Sequence, residues 1–209
     1  MDSVTICNMA LMAAGIPPIT SFEETNDNAK LCKTFYPVLR DRVLRDHNWS
    51  FATSYFDIQR ADEKSPDPEY PIVCILPGDL IRVLNLLDNS PYRRIGNRLL
   101  VTQFPVTLVY IKKVEDPNEF DPAFTEALQN LLSSEIVLSA SRDIQQAQYF
   151  RNEYERKLTI ARSIDSQENS HTNQIQQTGS TFIAARHGAA SRITKGRVVF
   201  VEGTAGKQV

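Results

Sequence analysis

Residues 35–52 read "FYPVLRDRVLRDHNWSFA", and they change character partway. The first half is helical in spacing and heavily charged; then come His47, Asn48, the chain's only tryptophan, Trp49, and a run that reads as strand. The switch divides the sequence. Upstream, a second helix starts at Asn26 or Asp27, either a good N-cap, with Leu31, Phe35, Val38, Leu39 and Val43 at helical intervals. Pro37 lies inside this pattern and predicts a kink or a break near Tyr36. A first helix runs from about Ser3, with Val4, Cys7 and Leu11 on one face, and stops at Gly15, placed as a C′ residue before Pro17 and Pro18.

Downstream, Phe51 to Val114 is strand-like. "FATSYFDIQRA", "YPIVCIL", "LIRVLNLL", "YRRI", "RLLV" and "VTLVYIKKV" are β-branched or aromatic-rich, with Pro, Gly, Asp and Asn between them. "RRIGNRLL" is the sharpest hairpin signal, since Gly96 at the first turn position suits a type II′ turn. Helix returns at Asp121-Pro122, a cap followed by a proline at the first helical position. Phe124, Leu128, Leu131, Leu132, Ile136 and Leu138 form its face. Ile144, Ala147, Phe150, Tyr154, Leu158 and Ala161 form that of a fourth helix.

The expected fold is α+β: an antiparallel bundle of two helices and then two more, with an inserted antiparallel β-domain and an extended C-terminal arm. The divisions fall at residues 1–50, 51–118, 119–168 and 169–209. Beyond about Gln167 the sequence turns polar, and five of the eight glycines lie from Gly179 onward. Val198–Val201 reads as a short strand with no obvious partner in its own segment.

Charge is divided unevenly. Net charge is −2, but residues 1–170 hold 18 Lys+Arg against 24 Asp+Glu, and residues 171–209 hold five against one. An acidic body with a basic tail suggests a tail that docks. The N-terminus lacks a basic n-region, which argues against a secretory signal, and no apolar run approaches the roughly 20 residues that span a bilayer. Cys7, Cys32 and Cys74 share no metal-binding or redox spacing and read as small buried hydrophobes.

Catalytic signatures are missing from the sequence: no GxxxxGK[ST], GxGxxG or GxSxG occurs. His47, His171 and His187 have no ligand spacing, and the neighbouring acids Glu23–Glu24, Asp62–Glu63 and Glu115–Asp116 sit in turns, not across a cleft. Arg93, Arg94 and Arg98 crowd one hairpin, where a basic ribbon touches phosphates or an interface.

The order of features over residues 10–52, "ALMAAGIPPITSFEETNDNAKLCKTFYPVLRDRVLRDHNWSFA", resembles the tail tubular protein A family, head-to-tail adaptors of short-tailed phages. The residues that carry the resemblance are Gly15, Ile16, Ile19, Glu23, Ala29, Cys32, Tyr36, Arg40-Asp41, Leu44-Arg45 and Trp49 with Phe51 and Ala52. "LPGDLIRVL" (76–84) and "TFIAARHG" (181–188) fit the family less strictly. The resemblance implies a structural virion protein, not an enzyme, with no cofactor and no metal. It implies a homo-oligomeric ring, usually of twelve copies, between the portal protein and the tail nozzle or tail-fibre proteins. Double-stranded DNA would pass through without specific binding, and the place would be the virion neck, after assembly in the host cytoplasm.

On that reading Gly15, Pro37 and Trp49 are structural, Trp49 plugging the bundle against the β-domain. Arg93, Arg94 and Arg98 face the tail or a neighbouring subunit. The arm offers Phe182, Arg186, Arg192, Lys195, Arg197, Val199 and Phe200 to the portal or to a neighbour, its strand adding to another chain's sheet. Two other classes remain as rivals: a virion-associated peptidoglycan hydrolase, and a DNA-binding packaging accessory protein.

Overall fold

The computed structural model of the chain describes residues 1–169, 192–194 and 197–199. Residues 1–166 form one compact unit. Helix α1 (Ser3–Ala13) starts where Asp2 accepts from the Thr5 N–H at 2.7 Å. It ends as its glycine predicts: Gly15 takes φ +74°, the Gly15 N–H donates to the Met12 carbonyl and the Ile16 N–H to that of Leu11. The last carbonyls of the helix are satisfied by that crossed pair.

Helix α2 (Asp27–Asp46) is capped by Asn26, which accepts from the Ala29 N–H at 2.7 Å. It runs through Pro37 without the break that proline made possible. Lys33, whose carbonyl loses a donor there, and Pro37 itself are both solvent-exposed, so water can replace the lost hydrogen bond. Its buried face keeps Leu39 and Val43 of the predicted one and departs from it elsewhere. Ala29, Cys32, Tyr36, Leu39, Arg40, Val43 and Leu44 turn inward, while Leu31 and Phe35 are half-buried and Val38 is 64% exposed.

Strands β1 (Thr53–Asp57), β2 (Gln59–Arg60), β3 (Ile72–Ile75), β4 (Leu80–Leu86), β5 (Tyr92–Ile95), β6 (Arg98–Val101) and β7 (Thr107–Lys112) form two antiparallel sheets, ordered β1-β7-β4 and β2-β3-β6-β5. The chain crosses from one sheet to the other at buried Ile58. The β5–β6 hairpin pairs Ile95 with Arg98 across Gly96-Asn97. Gly96 has φ +56° and Asn97 is not left-handed, as a type II′ turn requires.

The three-stranded sheet serves two cores. On β7, Leu108 and Tyr110 join Leu86, Leu99 and Val101 in a core between the sheets, while Ile111 enters the bundle core. On β4, Leu80, Val83 and Leu86 face the sheet core and Ile81 and Leu84 the bundle, a spacing that plain alternation forbids. Register shifts between Leu80 and Arg82, and between Val83 and Asn85, supply the extra turns.

Helix α3 (Pro122–Ala140) is capped by Asp121, which accepts from the Ala123 and Phe124 N–H groups. Helix α4 (Ile144–Asn169) follows. Phe124, Leu128, Leu131, Leu132 and Ile136 fill the bundle core with Tyr154, Leu158 and Ala161. Leu138 and Ile144, expected on these faces, are 47% and 73% exposed, because they line an open groove between the end of α3 and the start of α4 and not the bundle core.

Of the C-terminal arm, β8 (Arg192–Thr194) and β9 (Arg197–Val199) are described, and they pair antiparallel, Arg192 opposite Val199 and Thr194 opposite Arg197. The predicted lone strand therefore has a partner within its own segment. Its polar sequence, "RIT", carries no strand signal strong enough to announce it.

Candidate functional site

The charged stretch Arg40–Asp46 is more than a wet surface; much of it is fastened inward. Arg40 is 5% exposed, lies 5.9 Å from the Tyr36 ring centre, bonds Asp41 at 2.7 Å and has Glu115 at 3.9 Å. Lys113, hydrogen-bonded to Glu115, and then Arg40 hold the Glu115 carboxyl below the usual carboxylate range. Arg45 donates to the Ile81 carbonyl at 2.9 Å, and Arg82 of β4 donates back to Asn48. Helix α2 is thus tied to β4 in both directions.

The end of α2 has no glycine to close it, and His47 leaves the helix in an extended conformation. Its last carbonyls need donors from elsewhere. The Trp49 indole N–H donates to the Val43 carbonyl at 2.8 Å, and Arg162 of α4 donates to the Asp46 carbonyl at 2.8 Å. Trp49 is 1% exposed, edge-on to Phe124 at 5.2 Å and to His47 at 5.0 Å. Phe51 and Phe120, where the chain leaves and rejoins the bundle, complete the aromatic cluster.

Helix α4 closes the junction with one row of side chains. Tyr154 donates to the Asp46 carboxylate at 2.7 Å. Asp165 accepts from the Ser50 N–H at 3.0 Å and hydroxyl at 2.6 Å through one oxygen, and meets His47 Nε2 at 3.0 Å through the other. Histidine, aspartate and serine are brought together, but His47 and Ser50 both bind the carboxylate, an order unlike a catalytic triad, in which the imidazole stands between acid and hydroxyl; here the set braces the end of α2 against α4. The partners lie over a hundred residues from α4 in sequence, which is why the sequence did not reveal them.

Burial, and secondarily the Asp46 carboxylate, push the Tyr154 phenol up from its ordinary value. The unfolded chain ionises this group near pH 10, while the folded chain keeps it neutral, so the unfolded state binds fewer protons there. Stability should fall as pH rises from about 10 toward the raised folded value. Tyr154→Phe should flatten that fall in urea unfolding followed against pH, while losing roughly 1.5–3 kcal/mol at neutral pH with the hydrogen bond to a charged group.

The hairpin arginines are less available than their density suggests. Arg98 grips Glu63 through two bonds at 2.6 and 3.1 Å, Arg93 pairs with Asp67 and lies over Tyr70, and Arg94 donates to the Gly96 carbonyl. Two of the three charges are compensated by the β2–β3 connection, which disfavours a phosphate-binding ribbon. Arg192, Arg197 and Val199 belong to the β8–β9 pair. Phe182, Arg186, Lys195 and Phe200 lie outside the described residues.

Two outward helical faces are more apolar than solvent contact requires. On α2, half-buried Leu31 and Phe35 border a groove of about 570 Å³ that Ser139 and Ala140 of α3 close from the other side, and Val38, one turn on, is exposed. On α4, Tyr149, Ile160 and Ile164 are 61%, 44% and 40% exposed and share a side of the helix away from its buried stripe. Among the described residues no group of three or more His, Cys, Asp or Glu could hold a metal ion, and no helix is long and apolar enough to cross a membrane. No protein-family model matches the chain, and no curated protein is significantly similar to it.

Proposed function

We propose that the chain is a head-to-tail adaptor of a tailed phage: a structural subunit that forms an oligomeric ring, joins the portal to the tail nozzle or fibres, and surrounds the DNA channel. The observation that carries this reading is the pair of uncovered apolar faces on α2 and α4. A closed ring of identical subunits needs a heterologous contact, in which two different faces of each copy meet. Two such faces on one body, with the motif resemblance over residues 10–52, are what this function asks for. Twelve copies follow from the resemblance. The acidic excess of residues 1–170 suits a channel that must not trap phosphates, and the basic C-terminal segment suits docking on an acidic partner. The ring would stand in the virion neck after assembly in the host cytoplasm.

The test mixes the purified chain with the portal protein encoded beside it and images the product by negative-stain electron microscopy. A second ring stacked on the portal is expected, its symmetry giving the copy number. A folded protein that stays monomeric and leaves the portal bare overturns the reading.

A further inference from the structure

The β-domain carries exposed apolar side chains at its end away from the bundle. Strand β7 starts at that end, at Thr107, and reaches the bundle core at Ile111. Thr107 stands opposite Asp57 of β1, and its carbonyl accepts from the Leu87 N–H at 2.9 Å. The Ile58 N–H donates to the Val106 carbonyl at 3.3 Å, and the Gln103 amide donates to Asp88. These bonds gather Phe56, Leu87 and Phe104, all exposed, at one rim of the two sheets. A single exposed apolar residue is ordinary, but three together, two of them aromatic, mark a contact surface.

The rim is also anionic. Asp57 accepts from the Thr107 hydroxyl at 2.6 Å, and Asp88 from the Ser90 N–H and hydroxyl at 3.1 and 2.9 Å. None of these donors is a cation, and residues 53–59, 83–92 and 99–111 contain no lysine or arginine. The Ser90 N–H, then its hydroxyl, hold the Asp88 carboxyl below the usual carboxylate range. The acids beside the β5–β6 hairpin differ, since Arg98 and Arg93 neutralise Glu63 and Asp67. An occupant that fits this rim therefore brings apolar side chains and cations together.

The C-terminal segment has that chemistry. Residues 181–201, "TFIAARHGAASRITKGRVVFV", hold Arg186, Arg192, Lys195 and Arg197 with no acid among them, between aromatic and β-branched residues. Residues 170–191, which precede β8, can span up to about 70 Å when extended, enough to reach another molecule. We propose that the rim formed by Phe56, Leu87 and Phe104, with Asp57 and Asp88, receives the basic C-terminal segment of a second copy of this chain. The inference rests on the ring for its second copy, and adds to the helical contact a clasp between subunits.

The full chain is prepared unlabelled and labelled with heavy nitrogen, the two forms are mixed before assembly, and a carbodiimide joins lysines to the carboxylates they touch. Peptide mapping by mass spectrometry should find Lys195 linked to Asp57 or Asp88 in pairs of one light and one heavy peptide. Leu87→Ser combined with Phe104→Ser, at two exposed positions, should lower that yield roughly tenfold with unchanged far-UV circular dichroism. Links confined to single-isotope pairs, links from Lys195 to other carboxylates only, no link at all, or a yield that the double variant leaves unchanged would each overturn the proposal. A ring stacked on the portal without the link sinks the clasp and spares the adaptor reading. The link in a chain that leaves the portal bare does the reverse.

Discussion

Trp49→Ala should lower the free energy of unfolding by about 3–5 kcal/mol. The indole is almost wholly buried, stacks edge-on against Phe124 and His47, and supplies the donor for the Val43 carbonyl. The truncation therefore opens a cavity and leaves a buried acceptor unpaired at the end of a helix. Trp49→Phe separates the two effects, keeping most of the ring volume while removing the donor, and should cost roughly 1–3 kcal/mol. Urea unfolding followed by far-UV circular dichroism reads both variants. A loss below about 1 kcal/mol for the alanine variant would show that the junction collapses around the gap, and that Trp49 is not its plug.

Val38→Glu combined with Ile160→Glu should leave the monomer folded and abolish ring formation. Both positions are exposed on helices, so each substitution should shift stability by no more than about 0.5 kcal/mol. In an assembled ring the same carboxylates would be buried without partners, at a cost of several kcal/mol per contact repeated around the ring. Sedimentation velocity on the double variant and the unaltered chain decides this. Rings formed equally well by both would place the subunit contact on other surfaces.

Local chemistry made much of the fold legible. Asp2, Asn26 and Asp121 cap their helices, Gly15 and Gly96 take the left-handed conformations their positions predict, and each predicted strand segment is present. The α2 face was read correctly at Leu39 and Val43 but misread toward Leu31, Phe35 and Val38, to which hydropathy gives weight. Beside Leu39 and Val43 the buried row holds Ala29, Cys32, Tyr36 and Arg40: two small residues, a phenol and a guanidinium whose burial depends on Asp41. The brace from α4 was invisible for another reason. Arg162 and Asp165 are ordinary polar residues, and Tyr154 reads only as part of an apolar face, until the fold sets the end of α2 beside them.

The bundle is split in the chain, and this bears on how the protein is made. Helices α1 and α2 leave the ribosome early, but α3, against which both are packed, follows only after the whole β-region. At about 5–20 residues per second the N-terminal half waits on the order of ten seconds with its apolar faces uncovered. The two sheets, whose strands are consecutive in sequence, can close meanwhile. A released fragment that ends between residues 113 and 121 should carry a folded β-region and two sticky helices, the form most exposed to chaperones and to aggregation.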